Sequence, residues 1–165
     1  MNLNKLTEKA QEAILSAQRL AEERRNTQLE PEHLLFALVT QQDGVVPAVL
    51  EKLGVSPRQV SERLRPVLDG LARASGPTQL YVSPRFRQVF EAAQQEAERL
   101  KDYYVSTEHF LLALADASAQ GPGSQLLRTL GVTRDRIYQA LQDVRGGQRV
   151  TSPTPESTYQ ALLRY

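Results

Sequence analysis

From residue 6 onward the apolar positions Leu6, Ala10, Ala13, Ile14, Ala17, Leu20 and Ala21 recur at steps of three and four, one stripe along a helix. Thr7 stands before the run, where a hydroxyl can accept an orphan backbone N–H of the first turn. Glu8 follows, where the helix dipole favours negative charge. The pattern breaks near Gln28. Glu30-Pro31-Glu32 then opens a short, very apolar helix through Val39, and proline suits that first position because it has no N–H to leave unsatisfied. Gly44 punctuates, Pro47 is expected to begin a third helix, and Leu53-Gly54 closes it with a glycine able to take the left-handed cap. Ser56-Pro57 starts a fourth helix, with Val60, Leu64, Val67, Leu68 and Leu71 on its inner face. Ala74-Ser75-Gly76-Pro77 reads as a linker.

The programme then repeats. Ser83-Pro84 caps a helix carrying Phe86, Val89, Phe90, Ala93, Ala97 and Leu100. Ser106-Thr107-Glu108 opens a second short apolar helix, Gly121-Pro122-Gly123 precedes a third that ends at Leu130-Gly131-Val132, and a fourth runs from about Arg134 to Val144. No run alternates apolar and polar residues, so no sheet core is expected. Arithmetic supports the repeat: 83 − 7 = 76 pairs Ser83 with Thr7, 109 − 33 = 76 pairs the two histidines, and 131 − 54 = 77 pairs the two Leu-Gly-Val blocks. Identities at the offset of 76 include Ala17/Ala93, Gln18/Gln94, Glu22/Glu98, Glu32/Glu108, Leu35/Leu111 and Leu38/Leu114. Such self-similarity predicts an all-α domain of two four-helix repeats, about 1–73 and 80–145, related by a pseudo-twofold. Each half is marginal by itself, so the two should pack as one body, monomeric in isolation. Gly146-Gly147 and Pro153-Thr154-Pro155 mark 146–165 as a flexible connector that regains helical character at its end, with Tyr159, Leu162 and Leu163 as possible anchors. Truncation after Arg145 is expected to lower stability little.

Composition narrows the chemistry. Among 165 residues, 20 Lys+Arg against 19 Asp+Glu leave a net charge of +1, too little basic excess for a nucleic-acid or anionic-membrane binder. The absence of cysteine excludes disulfides, thiolate metal sites and cysteine catalysis. Leu34 to Val39 is far too short an apolar run to span a membrane, and the polar start MNLNKLTEKAQ lacks the apolar stretch of a secretory signal. A soluble, cytoplasmic chain is expected. No Gly-x-x-x-x-Gly-Lys-[Ser/Thr] occurs, so these 165 residues lack the phosphate cradle needed to hydrolyse ATP. His33 and His109 are the only histidines, too few for a zinc site without thiolates, and their matched early-helix positions read as caps. An enzyme using the paired Glu-His motifs as acid and base is the alternative from another class.

Leu6-Thr7-Glu8-Lys9-Ala10-Gln11-Glu12-Ala13, the doubled Glu-His motif and the doubled Leu-Gly-Val together resemble the amino-terminal domain of Clp ATPases. The stretch Val144-Arg145-Gly146-Gly147-Gln148-Arg149-Val150, with Pro155-Glu156-Ser157-Thr158-Tyr159-Gln160-Ala161-Leu162, looks like the ClpB branch, where it leads to the first AAA+ module. The resemblance implies a non-enzymatic domain of a homohexameric, ATP-driven disaggregase of the stress response, contacting unfolded or aggregated polypeptides and passing them to the AAA+ modules of the same chain. ATP and magnesium would then belong to those modules, with no cofactor here. It also implies substrate contact at Thr7, Asp102 and Glu108, and at Glu32 by likeness to an acidic phosphoarginine-binding position of the ClpC branch. Tyr103 and Tyr104, beside helix ends, would add aromatic area to such a site, as would Tyr81. Against this stands a plain structural reading: Glu32 and Glu108 lie in first helical turns, where the dipole stabilises a carboxylate, and the tyrosines can plug the seam between repeats. The alternative within the family is an adaptor-docking domain of a ClpC- or ClpA-type protease regulator.

Overall fold

Helices form where the two apolar programmes recur, and six of the eight described begin on a residue whose side chain caps a first-turn N–H, while the other two begin on glycine. The computed structural model describes residues 3–77, 79–146 and 148–155. The first half holds α1 (Glu8–Glu23), α2 (Pro31–Thr40), α3 (Val45–Lys52) and α4 (Pro57–Asp69); the second holds α5 (Pro84–Arg99), α6 (Thr107–Ala115), α7 (Pro122–Thr129) and α8 (Arg134–Arg145). Hydroxyls of Thr7, Ser56, Ser83 and Thr133 accept from the backbone N–H of Ala10, Gln59, Phe86 and Arg136, the same two caps in each repeat. Gly54 and Gly131 follow α3 and α7 with φ of 76° and 78°, a left-handed turn that only glycine adopts without strain. Several boundaries differ from expectation: α7 opens at Pro122, so Gly123 lies inside it, and Leu100 lies just beyond the end of α5. α3 starts at Val45 with Gly44 as its cap, so Pro47 sits inside the first turn, and Leu71 lies beyond the end of α4.

Packing follows from the apolar helices. α6 is buried along all nine of its residues, and α2 along all but Phe36 and Thr40. A helix that is apolar all round has to be covered all round. α1 and α4 pack on α2 and α5 packs on α6, while α3 lies on α8, α4 on α7 and α2 on α6, so the halves share one core. Phe90 meets Phe110 edge-on at 5.7 Å between ring centres. Each fully buried Leu of this set contributes roughly 1.5–3 kcal/mol relative to exposure. Among the described residues no single helix is long and apolar enough to cross a membrane.

The twofold is most visible in two very short parallel contacts. β1 (Gln28–Leu29) pairs with β2 (Tyr81–Val82), Leu29 opposite Val82, and Leu6 bridges Val105 in the same sense. Since 6 + 76 = 82 and 29 + 76 = 105, the repeat offset exchanges one pair for the other. The segment before the first helix of each half thus crosses to the segment before the second helix of the other. Two residues are too few to show period-two alternation, so no sheet signal exists to read.

The connector expected to be flexible from Gly146 onward is, over residues 148–155, packed on the body, which corrects that expectation. Gly146 ends α8 in the left-handed conformation, and Val150 is buried. Tyr103 N–H donates to the Val150 carbonyl at 2.8 Å, and Glu8 N–H to that of Pro153 at 2.8 Å. The first half does the same with its own closing segment: Thr27 N–H donates to Ala72 O and Ala74 N–H to Arg25 O. Glu156 to Tyr165, including Tyr159, Leu162 and Leu163, lie outside the described residues.

Candidate functional site

The two Glu-His motifs build equivalent corners at the starts of α2 and α6. In the first, His33 Nδ1 accepts from Glu30 N–H at 2.9 Å, which places the ring proton on Nε2, facing Asn26 Oδ1 at 2.9 Å. Asn26 Nδ2 in turn donates to Ala72 O at 3.1 Å. Burial pushes the His33 imidazole down to about 4, with the nearby Arg24 charge acting in the same direction and Glu32 opposing it. Protonating Nδ1 would also set two donors against each other. The neighbouring Glu32 carboxylate is wholly buried. It accepts from Arg85 Nη2 at 2.9 Å, Arg85 Nη1 at 3.2 Å and Gly123 N–H at 3.1 Å, joining α2 to α5 and to the start of α7.

In the second corner His109 Nδ1 accepts from Ser106 N–H at 2.8 Å and Nε2 faces Asp102 Oδ2 at 2.8 Å. Asn26 and Asp102 stand at the repeat offset (102 − 26 = 76), so a carboxylate takes the amide's place. Asp102 Oδ1 accepts from Arg145 Nη2 at 2.6 Å and from Val150 N–H at 2.7 Å. Burial by itself would push the Asp102 carboxyl up, but donors from His109, Arg145 and Val150 together hold it below its ordinary value. Glu108 Oε1 accepts from Ser106 Oγ. Its Oε2 is buried without a hydrogen bond, with Arg145 Nε at 3.8 Å. Lys9 stands at the counterpart of Arg85 (85 − 76 = 9), but its Nζ donates to Gln42 O, so Glu108 lacks the guanidinium clamp that Glu32 has.

Ser106 Oγ, His109 and Asp102 form a line, with Oγ 3.1 Å from Nδ1. The line is sealed from solvent. Ser106 and His109 and the Asp102 carboxylate are fully buried, Nδ1 is occupied by a backbone donor, and Ser106 Oγ serves Glu108. His33 and His109 are the N3 partners of the capping boxes that open α2 and α6. Among the described residues no group of three His, Asp or Glu is arranged to hold a metal ion.

Of the residues singled out for contact, the structure gathers Asp102, Tyr103, Tyr104 and Glu108 around one loop, with Thr7 tied to it by its N–H on Val105 O at 3.0 Å. Glu32 lies at the other corner. The side chains of Asp102 and Glu108, and all of Thr7 and Glu32, are sealed from solvent. The expectation of carboxylates displayed as acceptors meets, at each position, an intramolecular donor or a buried wall. Tyr103 is different: it is 74% exposed, and Tyr104 is half-buried. Sequence reasoning passed over Lys5, which with Asn4, Tyr103, Tyr104 and Thr151 lines an open groove of about 420 Å³. It also passed over Arg85, Arg145 and Val150. The signal for the last two was the repeat itself, which predicts a partner for position 102 as it does for Asn26.

The model of the Clp repeat (R) N-terminal domain matches residues 5–130. The chaperone protein ClpB of Nitratidesulfovibrio vulgaris is 39% identical over the whole of this chain and 20% of its own length, and that of Bacillus cereus 41% identical over the whole chain and 19%. The chain therefore spans about a fifth of the length of the curated relatives it matches. Among solved structures, the Hsp104 N-terminal domain from Candida albicans is similar with a TM-score of 0.77 and 25% identity, covering 92% of this chain and 99% of that one. A ClpV N-domain in complex with a VipB peptide shares the fold with a TM-score of 0.70 at 20% identity, over 85% of this chain and 86% of that one.

Proposed function

The chain belongs to the Clp amino-terminal repeat family, and we propose that it engages substrates for a ClpB-type disaggregase. On this reading it is a non-enzymatic module that holds exposed segments of unfolded or aggregated cytoplasmic proteins and helps deliver them to an AAA+ ring. ATP and magnesium belong to the ring, since the 165 residues contain no Gly-Lys pair with which to build a phosphate cradle. Weak binding by one domain gains strength when six copies sit on one hexamer. The kinship with ClpB over the full chain favours this over an adaptor-docking role for a protease regulator.

One observation carries the reading: an aromatic ring that is three-quarters exposed stands on a loop whose backbone is tied down on both sides. Tyr103 N–H is bonded to Val150 O and Val105 N–H to Lys5 O, so the ring is held out without the loop being free to bury it. Lys5, Tyr104 and Thr151 around it make a mixed aromatic, polar and cationic surface. Such a surface suits chains that present many side chains without a fixed sequence, because tyrosine offers apolar area and a hydroxyl at low entropic cost. Thr7, Asp102 and Glu108 act here by holding the loop, and Glu32 by joining the repeats.

The test is the affinity of the 165-residue chain for a dye-labelled, permanently unfolded model polypeptide, followed by anisotropy. The pair Tyr103→Ala and Lys5→Ala should weaken binding at least about fivefold, the equivalent of 1 kcal/mol, with an unchanged urea midpoint. Unchanged affinity in the double variant overturns the assignment.

A further inference from the structure

The closing segments of the two halves are held in different ways. Segment 72–74 is tied by a neutral amide, Asn26 Nδ2 on Ala72 O, and by backbone bonds to residues 25–27. Segment 148–155 is tied at a charged centre: Asp102 Oδ1 takes the Val150 N–H and the Arg145 guanidinium together, and Arg145 Nε reaches back to Gln148 O at 2.9 Å. Residues 148, 149, 151, 153 and 154 are exposed, and Val150 and Pro155 are the segment's buried apolar anchors. Its remaining contacts with the body include two backbone bonds, Tyr103 N–H to Val150 O and Glu8 N–H to Pro153 O.

We propose that residues 148–155 form a strap that detaches from the body while the eight helices stay folded, and that Asp102 is its latch. Local opening is favoured where few apolar contacts are broken and the freed backbone groups face water. Two of the eight strap residues are buried, Val150 and Pro155, and of the described helix amino ends only that of α1 takes a cap from the strap, at the Glu8 N–H. Docked, the strap leads the chain past the amino end of α1, at Glu8. Detached, its eight residues add up to about 25 Å of reach to whatever follows, at about 3.3 Å per residue. The tether then has a short and a long state, selected at one buried carboxylate. Asp102 is a positioning residue in this scheme. The strap shares one contact with the proposed binding loop: its opening frees the Tyr103 N–H, while the Val105 N–H stays on Lys5 O.

Asp102→Asn is the sharpest perturbation. If the new amide keeps Oδ1 toward His109, as Asn26 does toward His33, its Nδ2 turns toward Arg145 Nη2 and Val150 N–H, setting donor against donor. The measurement is native-state hydrogen exchange by NMR on the 165-residue chain, with the Val150, Tyr103 and Glu8 amides reporting on the strap and those of Leu112 and Ala113 in α6 on the core. In the unsubstituted chain the strap amides should exchange at least about a hundredfold faster than the core, with almost no dependence on low urea concentration. Asp102→Asn should speed the strap amides a further tenfold or so and leave α6 unchanged. Val150→Ala, which keeps the charged centre and trims one apolar anchor, should do the same, and it decides the matter should Asp102→Asn fail to fold. Strap and α6 amides that exchange at one rate, with one urea dependence, would make the strap part of the cooperative unit and overturn the proposal.

Discussion

Acidification should destabilise this domain from about pH 6.5 downward, because His33 is held neutral in the core. In the unfolded chain its imidazole takes a proton near 6.5, while in the folded chain burial lowers that to about 4. Between those two values the unfolded state binds the proton and the folded state does not. Stability from this group is therefore complete above about pH 6.5 and is lost as pH falls toward 4. At about 1.4 kcal/mol per unit of difference, the loss from pH 7.5 to pH 5 is on the order of 2 kcal/mol, approaching 3 near pH 4. Asp102 adds to this only at lower pH: its carboxyl is held below its ordinary value, so its contribution disappears as pH falls through the carboxylate range. Urea midpoints at pH 7.5, 6.5, 5.5 and 5.0, with the slope held common, should fall steadily, and the His33 ring resonances should show no protonation above pH 5. His33→Gln, which carries no titrating ring, should be less stable at pH 7.5 and flatter with pH. A midpoint independent of pH over this range, or a His33 ring titrating near 6.5, would refute the reasoning.

Other outcomes follow from particular contacts. Gly121 has φ of 109° and a Cβ there would stand 2.0 Å from Arg85 Nη1, so Gly121→Ala should cost about 1–3 kcal/mol and pull Arg85 off Glu32, visible as a lower thermal midpoint. Leu111→Ala, inside the fully covered α6, should cost about 2–5 kcal/mol in urea unfolding followed by circular dichroism. Thr7→Ala should lower stability by about 1 kcal/mol through loss of the cap on Ala10 N–H and leave the affinity for an unfolded polypeptide unchanged. A Thr7→Ala chain of full stability that binds more weakly would return Thr7 to the contact surface.

The candidate site was legible in parts. Tyr103 beside a helix end could be picked out as an aromatic with room to be exposed, and it is. The carboxylates of Asp102, Glu108 and Glu32 could not be recognised as internal ties, because their donors come from distant sequence: Arg145, Val150, Arg85 and Gly123. An acidic residue in the first turn of a helix looks the same whether it faces water or a neighbouring guanidinium. The docking of 148–155 was hidden for the opposite reason, since Gly146-Gly147 and two prolines carry a strong local signal for a loop and none for what a loop lies against.

Local rules alone determined the eight helices, their caps and their doubling: the 3.6-residue period, hydroxyls before first turns and glycine after last ones act within a few residues, and the offset of 76 is a property of the string. Tertiary structure decided what each repeat gives to the other. Leu6 opposite Val105 and Leu29 opposite Val82, Arg85 on Glu32, and Arg136 Nη2 on Leu53 O each join residues more than fifty positions apart. Such pairings are selected only when two apolar helices, α2 and α6, are buried against each other and the polar groups at their ends must find donors where water is excluded.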